Sequence, residues 1–117
     1  MLFRSRPAFV FNPSNDAWFG SWGPPQHVAQ ARLRAIEEGL AVIRSTPNGI
    51  SAIIDPEGNL IATLGIRRQG VIDGFVPEPK PLTVYSRWGT WASALWGLLL
   101  LGLGVVASRV FGEGSPK

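Results

Sequence analysis

Apolar positions change their spacing along this chain, and the changes mark its elements. Pro7-Ala-Phe-Val-Phe11 is a nearly continuous apolar run, which predicts a buried strand. Asn12-Pro-Ser-Asn-Asp16 follows as a cluster of turn formers, then Ala17-Trp-Phe-Gly-Ser-Trp-Gly23 as an aromatic loop. From there the period becomes helical. Val28, Ala31, Ala35 and Ile36 share one face, Pro24 and Pro25 suit a first turn, and Gly39 suits a left-handed cap. Strands are predicted over 40–44, 50–54, 60–64 and 71–76. Thr46-Pro-Asn-Gly49 turns between the first two, and Asp55-Pro-Glu-Gly58 has the residues of a type I turn. Residues 77–81 read as an extended proline-rich linker.

The last pattern is of another kind. Trp88 to Ala107 holds twenty residues without a charge, enough to cross a hydrocarbon core of about 30 Å as a helix. Trp88, Trp91 and Trp96 gather at its first end, as indole rings do near headgroups, and Arg87 and Arg109 flank it. A 117-residue chain has no core large enough to surround such a helix, so a membrane span is expected over 91–107. Residues 1–80 then form a sheet domain, 81–90 a membrane-proximal linker and 108–117 a polar tail. Lys80 and Arg87 before the span balance Arg109 and Lys117 after it, so charge leaves the orientation open.

Composition narrows the chemistry. Cysteine is absent and His27 is the one histidine, which excludes disulfides, a thiol nucleophile and a multi-histidine or zinc-thiolate centre within this sequence. No metal and no cofactor is expected. Eleven basic against eight acidic side chains give +3, too sparse for a nucleic-acid-binding surface. The predicted strands are apolar on both faces, yet one amphipathic helix is available to cover them, so the sheet domain reads as half of a layered structure.

Ser14-Asn-Asp-Ala-Trp-Phe-Gly20, Gly23-Pro-Pro-Gln-His27 and Ala31-Arg-Leu-Arg-Ala35 together resemble the C-terminal part of the apolipoprotein N-acyltransferases. These are membrane-embedded members of the carbon-nitrogen hydrolase (nitrilase) superfamily. The resemblance continues through Arg44-Ser-Thr-Pro-Asn-Gly-Ile-Ser51, Ile54-Asp-Pro-Glu-Gly58 and Thr83-Val-Tyr-Ser-Arg-Trp-Gly89. It implies an α/β fold: a partial nitrilase-type α-β-β-α sandwich followed by one C-terminal transmembrane helix. It also implies a place in the bacterial inner membrane, with the sheet domain facing the periplasm. The implied reaction is a ping-pong acyl transfer. A cysteine thiolate takes an acyl chain from a phospholipid donor and passes it to the N-terminal diacylglyceryl-cysteine of an apolipoprotein acceptor. A glutamate acts as base and a lysine helps hold the oxyanion.

In the family those three catalytic residues lie upstream of the Ser-Asn-Asp run, and none carries over to a position here. The expectation is therefore a C-terminal portion with no catalytic residue of its own, whose partner is the N-terminal half of the enzyme. A membrane-anchored, self-associating module without catalysis is the alternative, and a nitrilase-type amidase fragment a weaker one.

By the same resemblance, Asn15, Asp16, Trp18 and Phe19 border the substrate pocket. The aromatics would wall the acyl chain, while Asn15 and Asp16 fix the loop through side-chain-to-backbone bonds. An Asx turn with packed aromatics explains the same residues without a site. His27, Arg44 and Asn48 fall close to the site in the family, although a helix start, a strand end and a turn account for them equally. Ser14, Ser45 and Ser51 lack the Gly-x-Ser-x-Gly elbow of a serine hydrolase, so a serine triad with His27 and Asp16 is rejected. Arg32 and Arg34 read as helix-surface charges.

Overall fold

A computed structural model describes residues 5–112. Strand β1 (Phe9–Pro13) leads through a short 3-10 turn (Ala17–Phe19) into helix α1 (Gly23–Glu38). Strands β2 (Ala41–Ser45), β3 (Ser51–Ile54) and β4 (Leu60–Leu64) follow, then helices α2 (Val84–Trp88) and α3 (Thr90–Gly112). The sheet order is β1-β2-β3-β4. β1 runs parallel to β2, with α1 as the crossover that a parallel pair requires, and the other two pairings are antiparallel hairpins.

α1 forms where the sequence predicts it. Pro24 and Pro25 occupy its first turn, and Gly39 ends it with φ +63°. Val28, Ala31 and Ala35 are buried against the sheet, where Ala31 and Ala35 meet Val42, Ala52 and Ile54, with Val10 packed alongside. The register explains that row: Val10 lies opposite Val42, and Val42 opposite Ile54. Two alanines four apart let the helix backbone sit low on these branched side chains. Ile36, assigned to the same face, is largely exposed at the edge, where it borders Gly58. Arg32 is more than a surface charge, because its Nε donates to the Gly58 carbonyl at 2.6 Å. Arg34 pairs with Glu37 and Glu38 at the surface, as a solvated face would.

The turns also follow the sequence. Gly58 N–H donates to the Asp55 carbonyl at 2.9 Å, and the Asp55 side chain accepts from the Glu57 and Asn59 amides. β1 begins two residues later than the apolar run, so Asn12 and Pro13 belong to the strand rather than to the turn. The segment 71–76 is not a strand. It crosses the second face of the sheet instead, with Ile72, Gly74 and Val76 turned toward Ile43, Ile53 and Leu64. Its apolar residues report a segment laid on the sheet face, not a hydrogen-bonded neighbour. Phe9 and Phe11 on that same face stay exposed, and the outer edge of β1 has no partner among the described residues.

Thr90–Phe111 of α3 is long and apolar enough to cross a membrane, and none of it is buried against the rest of the chain. The helix runs through 108–112, part of the expected polar tail. Residues 113–117 of that tail, including Lys117, lie outside the described residues, as do residues 1–4 of the sheet domain.

Candidate functional site

Asp16 stands between the end of β1 and the 3-10 turn, and its side chain points inward. At 2% exposure it is among the most buried polar groups, together with Arg44 at 3%. Strand alternation puts Arg44 on the helix-facing side of β2, two residues beyond Val42. An arginine there must find an anion, since a guanidinium does not shed its proton. Arg44 Nη2 donates to both Asp16 oxygens at 2.7 Å, while its Nε donates to the Ile50 carbonyl at 3.2 Å. One side chain therefore ties the aromatic loop to the strand and to the β2–β3 turn.

Two further groups converge on the same carboxylate. His27 Nδ1, from the first turns of α1, lies 2.8 Å from Asp16 Oδ1, and the Ser14 hydroxyl donates to that oxygen at 3.1 Å. An ionised carboxylate only accepts, so the Nδ1 position is assigned the hydrogen of this bond. Ser14 bonds Asp16 and not His27, and Ser51 is engaged with Thr46 in the turn, so no serine-histidine relay is assembled. The Phe19 ring meets the His27 ring edge-on, with centroids 4.8 Å apart.

The carboxyl of Asp16 is held below its ordinary value. Burial pushes it up, but the hydrogen bonds from Arg44 and His27, the Arg44 charge and the Ser14 bond outweigh that push. A carboxyl depressed on folding lends stability that is fully present above its unfolded value of about 3.9 and is lost as pH falls through the lower folded value. Unfolding midpoints in denaturant are thus expected to be flat from neutrality down to about pH 5, then to fall below about pH 4. Asp16→Asn should flatten most of that decline. The remainder belongs to Asp55, whose carboxyl is shifted the same way: desolvation raises it, and the bonds from Asn59 and Glu57 lower it further than that.

The remaining expected site residues are more dispersed. Asn15 is exposed and its Oδ1 accepts from the Ala17 amide at 3.0 Å, an Asx bond that starts the 3-10 turn. Trp18 is 85% exposed and Trp22 86%, so the loop presents both indoles outward, with Phe19 partly covered by His27. Asn48 is exposed at the rim of a cavity of about 560 Å³ that also reaches Asp16, Gly20 and Arg67. On the other side, His27 borders a polar cleft of about 420 Å³ with Asn12, Ser14, Gln30, Arg34 and Arg44. Asp16, His27 and Arg44 thus form one network, whereas Asn15, Trp18 and Asn48 sit around its outer rim. Among the described residues there is no cluster of three metal-ligating side chains.

Gly49 and Thr46 complete the site; the resemblance places Gly49, with Asn48, in a segment close to it, whereas the sequence marks Thr46 only as a turn residue. Gly49 is buried, and its amide donates to Thr46 Oγ1 at 3.2 Å. A Cβ at this position would lie 2.6 Å from Asp16 Cγ and closer still to Oδ2. The backbone of the β2–β3 turn therefore closes over the carboxylate, and only glycine permits that approach.

Residues 2–77 match the carbon-nitrogen hydrolase family, a range that takes in the sheet and every residue of the network. Over 106 residues the chain is 43% identical to an apolipoprotein N-acyltransferase of Rhodopseudomonas palustris, covering 90% of this chain and 20% of the relative. It is 51% identical over 85 residues to the protein of that name from Bradyrhizobium diazoefficiens, covering 72% of this chain and 16% of the relative. With the Pseudomonas putida protein of the same name it shares 40% over 107 residues, 91% of this chain and 21% of the relative. The chain spans about a fifth of the length of these curated relatives.

Proposed function

This chain belongs to the carbon-nitrogen hydrolase family, and on that premise we propose that it is the C-terminal portion of an apolipoprotein N-acyltransferase. The reach of the likeness carries this reading. The family match ends at residue 77, but a match of 106 residues in a chain of 117 must also take in α2 and most of α3. A hydrolase-fold domain acting on a soluble amide has no use for an exposed apolar helix of that length.

In this reading α3 anchors the sheet domain in the bacterial inner membrane, on its periplasmic side. The donor is a phospholipid acyl chain, and the acceptor is the α-amino group of an apolipoprotein's diacylglyceryl-cysteine. Trp18 and Phe19 supply apolar surface to the acyl chain. Asn15 and Asp16 hold the loop that carries them, His27 and Arg44 support it from behind, and Asn48 lies at its rim. No cysteine occurs in this sequence, so the thiolate nucleophile comes from outside these residues and the chain alone does not carry the reaction. The exposed β1 side of the second sheet face, with Phe9 and Phe11, suits the other half of a layered sandwich.

A chimera tests this directly. The matching stretch of the Rhodopseudomonas palustris relative is replaced by this chain, and N-acylation of a diacylglyceryl lipopeptide is measured in membranes. Activity within about tenfold of the unaltered relative is expected. A chimera that inserts and unfolds cooperatively yet transfers no acyl chain would sink the proposal. It would favour the self-associating module instead, for which the outer edge of β1, unpaired among the described residues, is the supporting observation.

A further inference from the structure

The two ends of α1 are treated very differently by the fold. Its first turns carry His27 and so belong to the Asp16 network. Its last turn carries Glu37 and Glu38 and no basic residue, which places two acids at the negative end of the helix dipole. The Gly39 and Leu40 amides satisfy the Ala35 and Ile36 carbonyls locally, but the groups that satisfy the last carbonyls come from remote segments.

Three carbonyls are involved. Thr83 Oγ1 donates to the Glu37 carbonyl. Arg6 Nη2 donates to the carbonyls of Glu38 at 2.6 Å and Gly39 at 3.2 Å, while its Nη1 reaches the Lys80 carbonyl. The Lys80 amide returns to the Gly39 carbonyl at 2.9 Å. Gly39 is shaped for this convergence. Besides its positive φ, a Cβ there would meet Thr83 Cγ2 at 3.1 Å, Arg6 Nη2 at 3.2 Å and the Pro81 carbonyl at 3.3 Å.

Thr83 also belongs to the next element. It is the N-cap of α2, and its hydroxyl accepts from the Ser86 amide at 3.0 Å while donating to α1. One hydroxyl therefore registers α2 on α1, and a single residue, Gly89, separates α2 from α3. Apolar packing does not substitute for it, because α2 has no buried residue. The Lys80–Glu57 ion pair nearby is half-exposed and adds little.

We propose that the C-terminal end of α1 is a rigid joint that sets the pose of the sheet domain over the membrane, with Arg6 and Thr83 as its positioning residues. The inference rests on the reading that α3 spans a bilayer. The sixteen residues of α1 make a rod of about 24 Å with the joint at one end and the Asp16 network at the other. The joint thus fixes where the aromatic loop stands relative to the lipid.

The absence of cysteine makes the test clean, since introduced cysteines are the sole labelling sites. The full chain is placed in nanodiscs of phosphatidylethanolamine and phosphatidylglycerol. Spin labels at Ala29→Cys and Ala107→Cys report the pose, and labels at Ala29→Cys and Ile61→Cys report the integrity of the sheet domain. A narrow Ala29–Ala107 distance distribution is expected, roughly doubling in width with Thr83→Val and with Arg6→Met. Thr83→Ser should keep it narrow, and the Ala29–Ile61 distribution should stay unchanged throughout. Widths unaffected by both Thr83→Val and Arg6→Met, in a chain that resists carbonate extraction, would overturn the joint while leaving the span intact. A chain that carbonate strips from the discs would overturn the membrane reading, and the joint with it.

Discussion

Replacing Asp16 by alanine is expected to destabilise the sheet domain by about 3–5 kcal/mol, a large share of the total for a domain of this size. The cost is not the loss of a favourable contact alone. Arg44 would remain buried with its Nη2 facing a void, and its charge cannot be discharged by losing a proton. Arg44→Met should cost less, because the Asp16 carboxyl it abandons can take up a proton and become neutral. Its penalty should also shrink toward acid pH, as should that of Asp16→Ala, because the wild-type domain loses the Asp16 contribution there. The double variant is expected to be more stable than Asp16→Ala alone, since two opposite charges leave the interior together. His27→Ala removes one partly exposed donor and should cost about 1.5 kcal/mol. Denaturant midpoints of the detergent-solubilised chain, followed through tryptophan emission, rank all four. Equal penalties for Asp16→Ala and His27→Ala would show that the buried arginine finds another partner or reaches water.

Much of the fold was legible because the determining signals are local. Pro24-Pro25, the run of small apolar residues to Ala35 and the cap at Gly39 specify α1 within sixteen residues. Asp55-Pro-Glu-Gly58 specifies its turn within four. What stayed hidden depends on distance. Residues 71–76 are apolar enough to read as a strand because they lie on the sheet, and apolar content does not distinguish a segment on a sheet face from one at a sheet edge. Ile36 sits at the margin of the helical stripe, where a small rotation decides burial.

The network was half legible in the same way. Its members were all named through the family resemblance, yet no spacing rule links Asp16 to Arg44 across 28 positions. One physical signal was present in the strand: Arg44 follows Val42 by two and so faces inward, and an inward arginine calls for a carboxylate. The partners of the α1 C-terminus carried a weaker one. Two glutamates in a last turn without a base imply compensation from elsewhere, but not from Arg6 or Thr83 in particular.

Gly49→Ala is expected to be nearly as damaging as Asp16→Ala in the wild-type background, and close to neutral once Asp16 is already alanine. The added methyl would collide with the Asp16 carboxylate, lying 2.6 Å from Cγ and 3.1 Å from Cβ. Relief requires the carboxylate to leave Arg44, or the β2–β3 turn to lift off the loop and break the Gly49–Thr46 and Arg44–Ile50 bonds. Either route combines overpacking with an uncompensated buried charge, for about 3 kcal/mol or more. In the Asp16→Ala background only the Cβ contact survives, and a few tenths of an ångström of adjustment removes it. Gly49 does not have a positive φ, so alanine brings no backbone strain and restricts the unfolded chain by about 0.4–1 kcal/mol in favour of folding. The double-mutant cycle should therefore return a coupling of about 2–3 kcal/mol between two residues 33 positions apart. Additive penalties would mean that the turn and the aromatic loop yield independently, and that the carboxylate is not what holds the β2–β3 turn against the loop.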